Sequence, residues 1–266
     1  MTNYHTHTFR CRHAKGEDRQ YVEEAIKAGY REIGFSDHAP MLFDGDYYST
    51  FRMFPNQIED YISSVMKLRE EYKDSISIKC GFEFEYYPKY FEKTLALLNS
   101  YPIDYLVLGQ HFTSSESDEN AHYCGAPTSD ESVLEQYVKQ AVEGLSTGVF
   151  TYLAHPDLIH FTGDEETYRR HMSRLCRKIK EMGFPIEVNY YGFRLGRNYP
   201  TEKFWKIASE VGNDVVIGLD AHLPEMFGEK EKLDELKQWL SQFKLNMLEA
   251  PVLIDPHKPK KVSEAD

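Results

Sequence analysis

Short apolar runs alternate along the chain with longer segments whose apolar residues recur every three or four positions, the signature of strands followed by amphipathic helices. Strands are expected at residues 3–7, 32–36, 77–84, 105–108, 150–154, 185–189 and 214–219. A helix between Gly16 and Gly29 carries Tyr21, Val22, Ala25 and Ile26 at helical spacing, with Gly29 as its C-cap. After an aromatic loop at 41–54, Pro55 opens a helix with Ile58, Ile62, Val65 and Leu68 on one face. Further helices are expected at 89–98, 133–145, 165–182, 201–211 and 229–240, with a long polar loop reaching to about Ser129. These are seven strand-then-helix units with no Gly/Ser linker between them, which predicts one α/β domain.

The polar residues choose among α/β architectures. Of the 11 histidines, His5, His7, His38, His111, His155 and His222 fall at or just past the carboxyl ends of expected strands. Glu83, Asn189 and Asp220 fall at the same edge. A doubly wound sheet also fits the alternation, but polar side chains at one end of nearly every strand favour a closed or nearly closed TIM-like barrel, where that edge carries the active site.

The length of 266 residues suits such a barrel, which uses about 250. With 31 Lys and Arg against 43 Asp and Glu, the net charge of −12 argues against coating of long nucleic acid. A hydrophobic content of 41% and an aromatic content of 14% supply a substantial core. No apolar run approaches the roughly 18 residues of a membrane span, and the N-terminus lacks a signal-peptide pattern, so a cytoplasmic location is expected. Cys11, Cys80, Cys124 and Cys176 are widely spaced and read as reduced thiols. No pattern marks an oligomer interface.

His5-Thr-His7 puts two imidazoles on one face of an extended segment. With His13, His38, Glu83, His111, His155, Asp220 and His222 the set reaches nine ligand-type residues, too many for one ion. Neutral imidazole and carboxylate suit Zn, Mn or Fe, so a two- or three-metal cluster is expected.

The segments His5-Thr-His7-Thr-Phe-Arg-Cys-Arg-His13, Phe35-Ser-Asp-His38-Ala-Pro40, Gly81-Phe-Glu83, Gly109-Gln-His111-Phe112, His155-Pro-Asp157 and Gly218-Leu-Asp220-Ala-His222 resemble, in order, the motifs of the PHP (polymerase and histidinol phosphatase) family. The similarity is greatest to its histidinol-phosphate phosphatases. The resemblance, which spans residues 4 to about 228, implies a distorted (β/α)7 TIM-like barrel; the barrel domain is taken as residues 1–254, and 255–266, with Pro-His-Lys-Pro-Lys-Lys, reads as a solvated tail. It also implies three divalent ions. His5, His7, Glu83 and Asp220 would hold the first, Glu83, His111 and His155 the second, and His13, His38 and His222 the third. Glu83 and Asp220 are thereby the expected catalytic carboxylates. This chain reads Glu85 and Leu219 where such relatives often carry Asp and Ser.

The expected activity is metal-dependent hydrolysis of a small phosphomonoester, L-histidinol phosphate foremost, yielding L-histidinol and phosphate in histidine biosynthesis. The competing readings are a phosphodiesterase or exonuclease on small nucleotides and a non-catalytic metal-binding regulatory module. Arg194 and Arg197, in a glycine-containing loop after the sixth strand, are the expected phosphate clamp, because a planar guanidinium matches phosphate oxygens. Arg10 and Arg12 are the reserve candidates. Asp37 reads either as a carboxylate orienting His38 or as a cap at the strand end. His160 reads as a loop residue, and His122, His171 and His257 as solvated.

Overall fold

The computed structural model describes residues 1–262. Strands β1 (Thr2–Asn3), β2 (Glu32–His38), β3 (Ser77–Phe84) and β4 (Tyr105–Leu108) form a parallel sheet in that order. Strands β5 (Ile186–Asn189), β6 (Asp214–Gly218) and β7 (Asn246–Met247) form a second parallel sheet. Leu153 bridges to Leu108 on one side and to Ile186 on the other, and Thr6 bridges to Ala221. The outcome is a single-domain α/β fold built on a curled parallel sheet.

Strand β4 is apolar throughout because both of its faces are covered. In β4, Leu106 and Leu108 join the main core, while the alternate residues Tyr105 and Val107 join a smaller cluster with Tyr4, Tyr152, Ala154 and Val216. Tyr105 Oη lies 2.8 Å from the Tyr4 carbonyl and 3.1 Å from that of Phe35, so the phenol is satisfied although fully buried. The helices are α1 (Asp18–Ala28), α2 (Ile58–Glu71), α3 (Pro88–Leu98), α4 (Glu131–Ser146), α5 (Glu165–Met182), α6 (Tyr190–Leu195), α7 (Glu202–Val211) and α8 (Lys230–Leu240). Helix α1 stops at Gly29, whose φ of 84° is costly for any residue with a Cβ.

Three expectations change. The first strand is only two residues long, because His5 to His7 leave the ladder; there the His7 amide donates to the Ala221 carbonyl and the Ala221 amide to that of His5. The segment 150–154 makes bridges instead of a strand, with Ala154 N donating to Leu108 O and Glu187 N donating to Leu153 O. Part of the loop expected after the sixth strand is the short helix α6, started by Asn189, whose side chain accepts from Gly192 N. Strand β7 was not anticipated, being two exposed residues without alternation.

The segment from 255 onward, expected as a solvated tail, is exposed at residues 257–259 and 261 but is tied to the body at Lys260. Lys260 N donates to Gly148 O at 2.9 Å, and its Nζ donates to the carbonyls of Met182 and Gly183. Residues 263–266 of that tail lie outside the described residues. Among the described residues no helix is long and apolar enough to cross a membrane.

Candidate metal centre

All nine ligand-type residues meet at the carboxyl edge of the curled sheet. His38 ends β2, Glu83 is the penultimate residue of β3, His111 follows β4, and Asp220 and His222 follow β6. His155 and Asp220 have φ of 30° and 51°, a region that non-glycine residues rarely adopt. That strain sits at two turns that deliver ligand side chains.

Glu83 lies between two groups of imidazoles. Its Oε1 is 2.9 Å from His155 Nε2 and 3.6 Å from His111 Nε2. Its Oε2 is 2.9 Å from His38 Nδ1 and 3.5 Å from Nε2 of both His5 and His7. Asp220 Oδ1 is 2.9 Å from His7 Nε2 and 3.5 Å from His5 Nε2, and His13 and His222 bring their Nε2 atoms to 2.8 Å. Space for the carboxylates is made by missing side chains: a Cβ at Gly109 would stand 1.9 Å from Glu83 Oε1, and one at Gly218 would stand 2.0 Å from Glu187 Oε2.

These residues fit divalent cations. His5 Nε2, His7 Nε2, His38 Nδ1, Glu83 Oε2 and Asp220 Oδ1 are buried without hydrogen-bond partners, a costly state that coordination would relieve. Candidate ligand atoms fall within 4.8 Å of one another in His5, His7 and Asp220, in His5, Glu83 and His155, and in His7, His38 and His222. A further such group joins His13 and His222 to Cys11, whose thiol was read only as a reduced cysteine.

Carboxylates stand behind several rings. Glu187 Oε2 lies 2.8 Å from His5 Nδ1, Glu85 Oε1 lies 2.8 Å from His111 Nδ1, and Asp37 Oδ1 lies 3.4 Å from His7 Nδ1. At His5 and His111 these partners select the tautomer that leaves Nε2 free for a metal, whereas His7 Nδ1 makes no hydrogen bond. Asp37 also caps locally, its Oδ1 accepting from His38 N at 2.8 Å. Burial drags the His5 and His7 imidazoles down, but Glu187 and Asp220 at His5, and Asp220 and Asp37 at His7, outweigh it and hold both well above 6.5. Burial pushes Glu83 and Asp220 up, and the surrounding histidines overcome it, keeping both well below the usual carboxylate range. Burial dominates at His38 and His222, which fall well below 6.5.

The centre opens into a cleft of about 260 Å³. Phe51, Phe112 and Tyr123 line it, as do Tyr191, Arg197 and Tyr199. Arg197 stacks over the Tyr191 ring at 4.8 Å and donates from Nη1 to Tyr199 Oη at 3.2 Å. The two expected clamp arginines therefore part company. Arg194 is absent from the cleft, because Glu229 engages its Nε and Nη2 at 2.7 to 3.0 Å. The reserve candidates are also committed elsewhere: Arg10 is buried against Asp18 and Asp60, and Arg12 reaches the carbonyls of Ser49 and Arg52. His171, expected to be solvated, is buried with Nε2 2.8 Å from Glu131.

Sequence reasoning missed Glu187, Arg52 and the tyrosines of the cleft. Glu187 left a trace, a carboxylate inside the apolar strand β5, two residues before Asn189 and so on the same face. Arg52 left none, since a single arginine in an aromatic loop reads as surface.

Fold and site together define a metal-dependent α/β enzyme with an imidazole and carboxylate centre at one sheet edge. The chain belongs to the PHP domain family, whose pattern matches residues 3–190. It is similar to the histidinol-phosphatase of Bacillus subtilis, at 28% identity over 246 residues, covering 82% of this chain and 92% of that protein. A probable histidinol-phosphatase of Deinococcus radiodurans is 27% identical over 235 residues, covering 86% of this chain and 88% of that one. The crystal structure of histidinol phosphate phosphatase from Lactococcus lactis, complexed with zinc, L-histidinol and phosphate, shares the fold. Its TM-score is 0.70 at 18% identity, with 98% of each chain covered.

Proposed function

We propose that this chain is a metal-dependent phosphomonoesterase that hydrolyses L-histidinol phosphate to L-histidinol and phosphate in histidine biosynthesis. The observation that carries this reading is Glu83, whose two oxygens face separate sets of imidazoles, the arrangement of a carboxylate shared between ions. Names borne by relatives that cover most of both chains point to the same substrate.

The ligand set would hold three ions of the Zn, Mn or Fe kind: His5, His7, Glu83 and Asp220 for one, Glu83, His111 and His155 for the next, and His13, His38 and His222 for the third. Such ions, when bound, acidify a water molecule and offset charge on phosphoryl oxygens. Arg197 is the residue placed to grip the phosphate from the side of Tyr199, and Glu83 and Asp220 are the catalytic carboxylates. The aromatic walls suit a small organic group with a planar ring. In this reading residues 1–254 form a distorted (β/α)7 barrel, with Leu153 and the Thr6 to Ala221 bridge standing where full strands would close it. Four buried free cysteines agree with a reducing, cytoplasmic setting.

The test is phosphate release from L-histidinol phosphate, p-nitrophenyl phosphate and a dinucleotide diester by metal-loaded protein. The monoesters should turn over, with histidinol phosphate giving the highest kcat/KM. Preference for the diester would transfer the assignment to nucleotide hydrolysis.

A further inference from the structure

Arg52 lies in the loop between β2 and α2 and is fully buried. Its Nη1 donates to Glu85 Oε2 at 2.5 Å and to the Ala39 carbonyl at 3.3 Å, while its Nε donates to Glu116 Oε1 at 2.8 Å. Through its other oxygen Glu85 holds His111 Nδ1. A line of hydrogen bonds therefore runs from Glu116 through Arg52 and Glu85 to His111, whose Nε2 faces Glu83.

The neighbouring residue Phe51 turns into the cleft. Its ring meets His38 edge-on at 5.1 Å, lies 5.9 Å from His111 and stacks on Phe112 at 6.1 Å. Glu116 also accepts from Ser49 Oγ at 3.3 Å, so the loop before α2 is tied to the loop that follows β4. Arg52 is the cation at that junction. Two buried carboxylates need a cation between them, and removal of one member of such a set leaves uncompensated charge. A guanidinium suits the position because different nitrogens of one rigid fork serve each carboxylate, whereas a lysine ammonium is a single point of charge.

We propose that Arg52 is a positioning residue that orients Glu85 behind His111 and anchors Phe51 as a wall of the cleft. Metal affinity at the Glu83, His111 and His155 end and the fit of the substrate's organic part are then set by one side chain. Neither consequence is expected of a guanidinium that only staples two loops.

The experiment is a zinc titration against a competing chromophoric chelator on R52K, R52M, E85Q and the R52M/E85Q double variant, each checked for folding by circular dichroism. Loss of an outer partner of a metal-bound histidine costs about 10- to 100-fold in affinity. R52M and E85Q should each weaken the most loosely held zinc by that factor, and the double variant should bind no worse than E85Q alone. R52K keeps the charge, so it remains the usable variant if R52M does not fold, and its affinity should fall between wild type and E85Q. With zinc saturating, R52K should raise KM for p-nitrophenyl phosphate while inhibition by inorganic phosphate stays constant. Wild-type zinc affinity in a folded Arg52 variant, with only the melting temperature lowered, overturns the proposal. Because the titration contains no substrate, its failure is distinct from failure of the phosphatase assignment.

Discussion

Glu187 Oε2 lies 2.8 Å from Nδ1 of His5, and both side chains are fully buried. The carboxylate fixes the proton on Nδ1 and turns Nε2 toward Glu83 and Asp220. Glu187→Gln keeps the shape in the space left by Gly218 but removes the charge that favours this tautomer. Zinc affinity should fall about 10- to 100-fold, with little change in the circular dichroism spectrum. Unchanged affinity would show that His5 is oriented by packing alone.

Glu83 is expected to matter more than any single histidine, because its two oxygens face two sets of ligands. Glu83→Gln should lower turnover by several orders of magnitude and reduce metal content measured by elemental analysis. Gly109→Ala offers an independent route to the same outcome, since the added Cβ would occupy the place of Glu83 Oε1. If the Gly109 variant retains full metal content, Glu83 has room to hold the ions from another position.

Much of this site was legible in the chain because its chemistry is spaced by the strands. His5 and His7, or Asp220 and His222, are pairs two apart at strand ends, and a strand-helix alternation delivers each such end to one edge. The strand at 77–84 was also expected at the bounds observed, since Ile78, Cys80, Phe82 and Phe84 alternate along it. What could not be read was anything decided by contacts between distant segments. Arg194 and Arg197 are three residues apart in similar company, and only the approach of Glu229 removes one of them from the cleft. Residues 150–154 look like a strand locally, but they sit between two sheets and make single bridges on each side.

Protons should leave the centre when metal enters. Without metal, the carboxylates around His5 and His7 raise both above 6.5 and favour their protonated forms, whose protons coordination must displace. Zinc affinity should rise from pH 6 to pH 8, with proton release seen by calorimetry in buffers of different ionisation enthalpy. The stability of chelator-treated protein should move the other way. Above an unfolded value of about 6.5, the folded state still binds protons that the unfolded chain has lost, so stability falls as pH rises through the elevated values. His38 and His222, pushed down by burial, oppose this trend only while the unfolded chain is still losing their protons around 6.5, and that contribution fades above about pH 7.5. A melting temperature of metal-free protein that rises between about pH 7.5 and 8.5 would contradict the assignment of raised values to His5 and His7.

The two arginines after β5 should behave differently when replaced. Arg197 lines the cleft, and a charge-assisted contact to phosphate is worth roughly 1.5–3 kcal/mol. Arg197→Ala should therefore lower kcat/KM about tenfold to a hundredfold, weaken inhibition by inorganic phosphate in parallel and leave bound metal constant. Arg197→Lys should recover only part, because the planar fork that stacks on Tyr191 and reaches Tyr199 is lost. Arg194 instead forms its ion pair with Glu229, each side chain about one-quarter exposed, a setting in which such pairs contribute at most about 1 kcal/mol. Arg194→Ala should lower the melting temperature slightly and leave kcat/KM and phosphate inhibition at wild-type values. Equal losses of kcat/KM in the two alanine variants would mean that α6 shifts on substrate binding and brings Arg194 to the phosphate, and the assignment of the grip to Arg197 alone would fall.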